Sequence, residues 1–306
     1  MRSRKAYHSP VRKELLVAKD SLIGVILDDR YEILSEVGRG ALGVVYKARH
    51  LVMEKTVAVK VLFGEVDATK DETNFLRFQR EAQAASSMSH PNIVTVYDFG
   101  FSAQKTPYLV MDFIEGVNLK EILSRHQRLP VERGVHIFLQ MCSALEHAHS
   151  KGILHRDIKP ENVVLLKTSW NPEFVKLVDF GIAKYVNEPR NNSKKLTMDG
   201  QVLGTPAYMS PEQVMGDRLD ARSDIYCMGV LMYHTISGKL PILGSTSADT
   251  MSRHITDKPK EFAEICPGLP VPFKLQRTIM KALKKHPQDR HQSMKELYVE
   301  LENYRD

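Results

Sequence analysis

The feature that most limits the fold is a change of hydrophobic period at Gly116. Ahead of it, apolar residues come in short alternating runs: Tyr31 to Val37, Val44 to Ala48, Val57 to Leu62, Ile93 to Phe99 and Pro107 to Phe113. A period of two belongs to strands, whose side chains point to opposite faces in turn. The exception is residues 74–87, where Phe75, Phe78, Ala82 and Ala85 recur at helical steps. Behind Gly116 the period is about 3.6. Asn118 to Arg125 reads as a short helix, and Pro130 opens a long one closed by Lys151-Gly152. The chain predicts an antiparallel sheet of five strands with one main helix, then a larger, mostly helical part, an α+β class.

Chemistry concentrates in ten residues, Leu154-His155-Arg156-Asp157-Ile158-Lys159-Pro160-Glu161-Asn162-Val163. The proline pushes Lys159 out of the α region and argues for a loop. Asp157 can orient an attacking hydroxyl and take its proton. Lys159 can hold a moving phosphate by charge, and Asn162 can offer a hard oxygen to a divalent cation. Alone, this is an ordinary polar loop; its companions make it specific. Upstream, Gly38-Arg39-Gly40-Ala41-Leu42-Gly43 stands between two strand patterns. Dinucleotide binding would need a helix after those glycines and an acid about twenty places on. Here β-type residues follow, and Lys60 stands seventeen residues after Gly43. A hairpin folded over phosphates fits better, since a backbone without side chains approaches a nucleotide closely. Downstream, Val175 to Val178 pairs with Val163 to Leu166 as a hairpin and delivers Asp179-Phe180-Gly181, twenty-two residues after Asp157.

In this order the motifs resemble the protein kinases, of the Ser/Thr branch and bacterial in type, over about residues 30–304. The resemblance implies the two-lobe protein kinase fold, with 1–29 as basic tail and leader, 30–112 as N-lobe and 113–306 as C-lobe. ATP would lie under the loop Gly38, Arg39, Gly40, Ala41, Leu42 and Gly43, against Val45 and Ala58. Met111 would be the gatekeeper, and Asp112 to Ile114 the hinge whose backbone binds adenine. Lys60 would reach the phosphates, held by Glu81 across an ion pair; the plain alternative for Glu81 is a solvated residue paired with Arg77. Asn162 and Asp179 would hold Mg²⁺, with Mn²⁺ as a second choice, and Phe180 would pack beneath the helix bearing Glu81. Ile182 to Pro211 would be the activation segment, phosphorylated at Thr197 or, less favourably placed, Ser193, with Arg156 receiving the phosphate. Asp224 would cap and brace the catalytic loop, and Glu212 would form a buried ion pair with Arg290. The family usually has alanine where Ser210 stands. Lys159 and Thr205 point to serine/threonine substrates.

Net charge is +6, but residues 1–19 supply +5 of it and leave +1 for the other 287. The basicity belongs to a tail, which weakens any nucleic-acid reading. Leu15 to Ala18 is too short for a signal peptide, and no apolar run reaches the ~18 residues of a membrane span. Cys142, Cys227 and Cys266 lack metal spacing and read as buried free thiols of a reducing compartment. The expected partners are ATP and protein substrates, with a homodimer for trans-autophosphorylation. The expected place is the cytoplasm, either free or as the cytosolic module of a longer membrane-tethered protein. Two alternatives share the fold: a pseudokinase that binds without transfer, and a kinase of small molecules. The long activation segment speaks against the second. A P-loop NTPase is excluded by the lack of G-x-x-x-x-G-K-[ST].

Overall fold

A computed structural model describes residues 22–40, 43–63, 72–102, 105–168, 171, 173–180 and 205–305. Among the described residues six strands make the first sheet: β1 (Ile26–Leu27), β2 (Tyr31–Gly40), β3 (Gly43–His50), β4 (Lys55–Leu62), β5 (Val96–Phe101) and β6 (Pro107–Asp112). Their order is β1-β2-β3-β4-β6-β5, antiparallel throughout. The expected count of five is therefore corrected to six. The extra strand comes from the short apolar run before Asp28: Asp28 and Asp29 both take positive φ, turning the chain so that Leu27 pairs with Tyr31. Leu27 is buried with Tyr31, Ile33, Tyr46 and Tyr108 in a small core of its own. Helix α1 (Glu72–Ser86) lies on the other side of the sheet, where Ala82 and Ala85 join the main core.

A second sheet orders β7 (Val117–Asn118), β8 (Val163–Leu166) and β9 (Phe174–Leu177). The helical part holds α2 (Leu119–His126), α3 (Val131–Ser150), α4 (Pro211–Met215) and α5 (Ala221–Ser237). It continues with α6 (Ser247–Thr256), α7 (Phe262–Ile265), α8 (Phe273–Ala282) and α9 (Met294–Glu302). Residues 225–233 of α5 are all buried, as an almost wholly apolar helix must be. Asp220 caps this helix, its side chain accepting from the Arg222 N–H. Ser210 caps α4 in a reciprocal pair with Gln213, a use of serine that the family's usual alanine cannot match.

The two sheets meet through the segment after α1. The Val94 N–H donates to the Leu177 carbonyl and the Leu177 N–H to the Asn92 carbonyl. Buried Asn92 also donates its side-chain amide to the Val175 carbonyl. These bonds fix β9, and the acid that follows it, against the sheet carrying Lys60. Among the described residues, no helix is long and apolar enough to cross a membrane.

Candidate functional site

The loop from Leu154 to Val163 is held from below. Asp224, in the first turn of α5, accepts from the backbone N–H of His155 at 2.8 Å and of Arg156 at 2.9 Å. His149, at the end of α3, bonds the same carboxylate through Nε2 at 2.8 Å. Burial alone would raise the Asp224 pKa, but the His149 hydrogen bond and the nearby histidine charges leave it below the ordinary aspartate value. A carboxylate held charged at this point lets Arg156 adopt φ +62, a conformation costly for a side chain with a Cβ. From the other side, Gln213 of α4 donates Nε2 to the Arg156 carbonyl at 2.7 Å. Thus three separate helices set the shape of one loop.

On that loop, Asp157 lies 2.7 Å from Lys159 Nζ. Asn162 donates Nδ2 to the Asp157 carbonyl at 2.7 Å and to its carboxylate at 3.0 Å. This orientation leaves the Asn162 side-chain oxygen as an acceptor turned away from Asp157. The Val178 N–H donates to the Asn162 backbone carbonyl at 3.0 Å, tying the loop to the segment that ends in Asp179. Asp179 itself takes φ +59, and its carboxylate meets Lys60 Nζ at 2.6 Å. Phe180 is buried, with its ring 4.5 Å from that of His155 and beside Ala85 of α1. Thr205 and Tyr208 line a small hollow with Asp157 and Lys159.

The sheet contributes the roof. Val45 pairs in register with Lys60, Lys60 with Leu109, and Ala58 with Met111. Lys60, Ala58 and Met111 are buried and face one side of the sheet, as strand alternation requires. Gly40 pairs with Gly43 at the end of the β2–β3 hairpin. A Cβ on Gly43 would collide with the Val61 carbonyl oxygen, whereas one on Gly38 or Gly40 would meet nothing within 4 Å. Packing within the chain therefore explains Gly43 but not its two companions, whose bare backbone is open on one side. At the end of β6, Asp112 is clamped by Tyr97 and by Lys55 at 3.2 Å. Burial works to raise the Asp112 pKa, and these bonds overrule it and hold the value low. Ile114 packs partly buried against the main core.

Glu81 stands on α1, but its side chain lies outside what the structure describes, so the described partner of Lys60 is Asp179. Ala41, Leu42, Gly181, Ser193 and Thr197 also lie outside the described residues. Arg290 and Glu212 form a bidentate pair at 2.6 and 3.0 Å. Sequence reading missed Asn92, Gln213 and the role of His149. Among the described residues no cluster of three His, Cys, Asp or Glu is arranged to hold a metal. Asn162 and Asp179 offer two hard oxygens, which suits an ion completing its shell with phosphate and water.

The model of the protein kinase domain matches residues 31–301. The chain belongs to that family. Serine/threonine-protein kinase pkn3 of Myxococcus xanthus is 38% identical over 283 residues, covering 92% of this chain and 51% of the relative. Serine/threonine-protein kinase PknB of Mycobacterium leprae is 37% identical over 278 residues, covering 90% and 43%. This kinase domain thus spans about half the length of the curated relatives it matches. The crystal structure of Rad53 1-466 in complex with AMP-PNP is similar at a TM-score of 0.71 and 25% identity, over 90% of this chain and 66% of that one. The antiparallel sheet followed by a helical lobe is the fold of the family.

Proposed function

We propose that the chain is a protein-serine/threonine kinase that transfers the γ-phosphate of ATP to protein hydroxyls. One observation carries this reading. The cluster Asp157–Lys159–Asn162 is joined by the Val178 N–H to Asn162 carbonyl bond and by the β8–β9 ladder to the segment bearing Asp179 and hence Lys60. Acid, cations and hard oxygens are thereby fixed on one rigid unit, and loose phosphoryl transfer asks mainly for positioning and charge.

In this reading Asp157 accepts the proton of the substrate hydroxyl. It is aimed by Lys159 and by the Asn162 amide. Lys159 then follows the transferred phosphate. Lys60 contacts the phosphates under the glycine hairpin, with Glu81 as its holder and Gly38 and Gly40 giving the backbone room to approach. Asn162 and Asp179 hold Mg²⁺, which when bound neutralises phosphate charge. Asp112 to Ile114 bind adenine, the side chain of Asp112 being fixed by Lys55 and Tyr97. Residues 30–112 and 113–306 serve as the two lobes. Thr197 is the activating phosphosite and Arg156 its receiver. Protein substrates, a homodimer for trans-autophosphorylation and a cytoplasmic setting belong to the same reading.

Mass spectrometry of the protein incubated with and without Mg-ATP is the test. Phosphate should appear on Ser or Thr in the parent and fall by about 10²-fold or more in rate with Asp157→Asn, at nearly unchanged nucleotide affinity. A parent that binds nucleotide but never transfers phosphate would be a pseudokinase, and the proposal would fail.

A further inference from the structure

Away from the catalytic loop, helix α8 turns a basic stripe outward. Lys274, Arg277 and Lys281 recur at steps of three and four, which places them on one helix face, and Lys284 follows two residues past the helix end. They border a groove of about 900 Å³ beside α9. The groove has an apolar wall: Phe273 is 72% exposed and Val299 48% exposed. A large ring left in water beside an open hollow is a side chain that gains much from being covered.

Only part of the stripe is neutralised. Lys281 Nζ lies 2.7 Å from Glu296 and 2.8 Å from Glu300, two carboxylates one turn apart on α9. Among the described residues, Lys274, Arg277 and Lys284 have no carboxylate within 4 Å. Helix α9 therefore displays, on this surface, the kind of group that the stripe accepts. Past Pro272 the surface continues into a second hollow of about 780 Å³, with Arg128 on its edge and, among the described residues, no carboxylate within 4 Å of it.

We infer that this surface docks an acidic segment of a partner protein, with carboxylates for Lys274, Arg277 and Lys284 and an apolar side chain for the wall made by Phe273 and Val299. Charge complementarity selects the sign of the partner, and the exposed ring selects its mixed character. Other polyanions match less well. A nucleic acid repeats its charge every few ångströms without relief, and Glu261 and Glu300 in the same groove repel it. A lipid surface is flat, whereas these cations border hollows. A peptide can set its acids opposite the cations and keep apolar residues opposite the glutamates. Docking here uses neither ATP nor the catalytic loop, so it stands or falls independently of phosphotransfer.

The experiment is fluorescence anisotropy on the full chain. The probe is a fluorescein-labelled peptide of about twelve residues, glutamates with leucine or phenylalanine at every fourth position. Binding at about 10–100 µM is expected, weakening steeply with salt. Lys274→Glu with Arg277→Glu should raise Kd at least 10-fold, and Phe273→Ser about 5-fold. Lys151→Glu, an exposed charge reversal at the end of α3, should leave Kd unchanged. Circular dichroism and a thermal melt confirm that each variant is folded, which is expected because every altered side chain is exposed. Phosphatidylserine vesicles and a single-stranded oligonucleotide are run in parallel. The inference is overturned if the peptide does not bind at 1 mM, or if the α8 variants bind it like the parent. It is equally overturned if only vesicles or oligonucleotide depend on these residues.

Discussion

Arg290 is the largest fully buried side chain among the described residues, and its replacement has a calculable outcome. Its side chain is 0% exposed. All five guanidinium N–H groups have uses: two go to the Glu212 carboxylate, and three to the carbonyls of Lys284, Lys285 and Arg222 at 2.7, 2.8 and 2.7 Å. Burial pushes the Glu212 pKa up, but the Arg290 hydrogen bonds and charge leave it below the ordinary glutamate value. Arg290→Met keeps much of the volume and removes every one of these donors. The stranded buried carboxylate should cost about 3–5 kcal/mol at pH 7, or roughly 6–15 °C in Tm. The sign with pH is the sharper test. In the parent, the depressed Glu212 contributes stability that is present above the unfolded glutamate pKa and lost as pH falls through the folded one. In the variant the Arg290 hydrogen bonds and charge no longer oppose burial, the folded pKa rises, and protonation relieves the strain. The deficit relative to parent should therefore shrink as pH falls towards 5. Glu212→Gln in the same chain should recover part of the loss at pH 7. Urea unfolding followed by circular dichroism at pH 7 and pH 5 measures all of this. A loss under about 1 kcal/mol, or a deficit that does not shrink on acidification, would refute the account. The effect should reach the site too, because Glu212 neighbours Gln213, which holds the Arg156 carbonyl.

Three further outcomes are expected. Lys60→Met and Glu81→Gln should each damage transfer, and the double variant should lose much less than the sum; fully additive losses in kcat/KM would make Glu81 a mere surface residue. Thr197→Ala should lower activity towards an added protein substrate, and Arg156→Ala should match it with no further loss in the double variant; an unaffected Thr197→Ala with no phosphate between residues 187 and 205 rules the switch out. Burial, helped by the Lys285 charge, pushes His254 down to about 4. The unfolded chain then binds the extra proton between pH 6.5 and 4, so stability should fall by roughly 3 kcal/mol as pH drops through that window, and a His254→Gln chain should show a flatter pH dependence.

Much of this molecule could be read from order and period. Lys60, Asp157, Asn162 and Asp179 stand out by residue type and spacing alone, and the fold brings them together through Lys60–Asp179 and Asp157–Asn162 contacts. The strand and helix runs followed from which faces are apolar, with ends displaced by a few residues: β2 runs on to Gly40 and β5 begins at Val96. The sixth strand was missed because two residues carry no period, and its pairing depends on the backbone turn at Asp28 and Asp29.

What the sequence hid is of one physical kind. His149 looked like any histidine on the apolar face of a helix, yet its partner Asp224 lies 75 residues further on. Asn92 follows a proline in an unremarked loop, yet its amide joins the two sheets. Tyr97 and Lys55 are exposed residues of common types, yet together they fix Asp112. In each case a neutral or singly charged side chain of ordinary type closes a polar bond between elements distant in sequence. Periodicity reports which face of one element is apolar, and a motif reports residues that must share one loop. Neither records a pairing made only when two elements pack. Of these, the His149–Asp224 bond backs the carboxylate that holds the Leu154–Val163 loop at the positive φ of Arg156, a conformation that the local sequence does not favour. The intrinsic chemistry of the site is therefore written locally, while its geometry is set by partners that only the folded chain brings within reach.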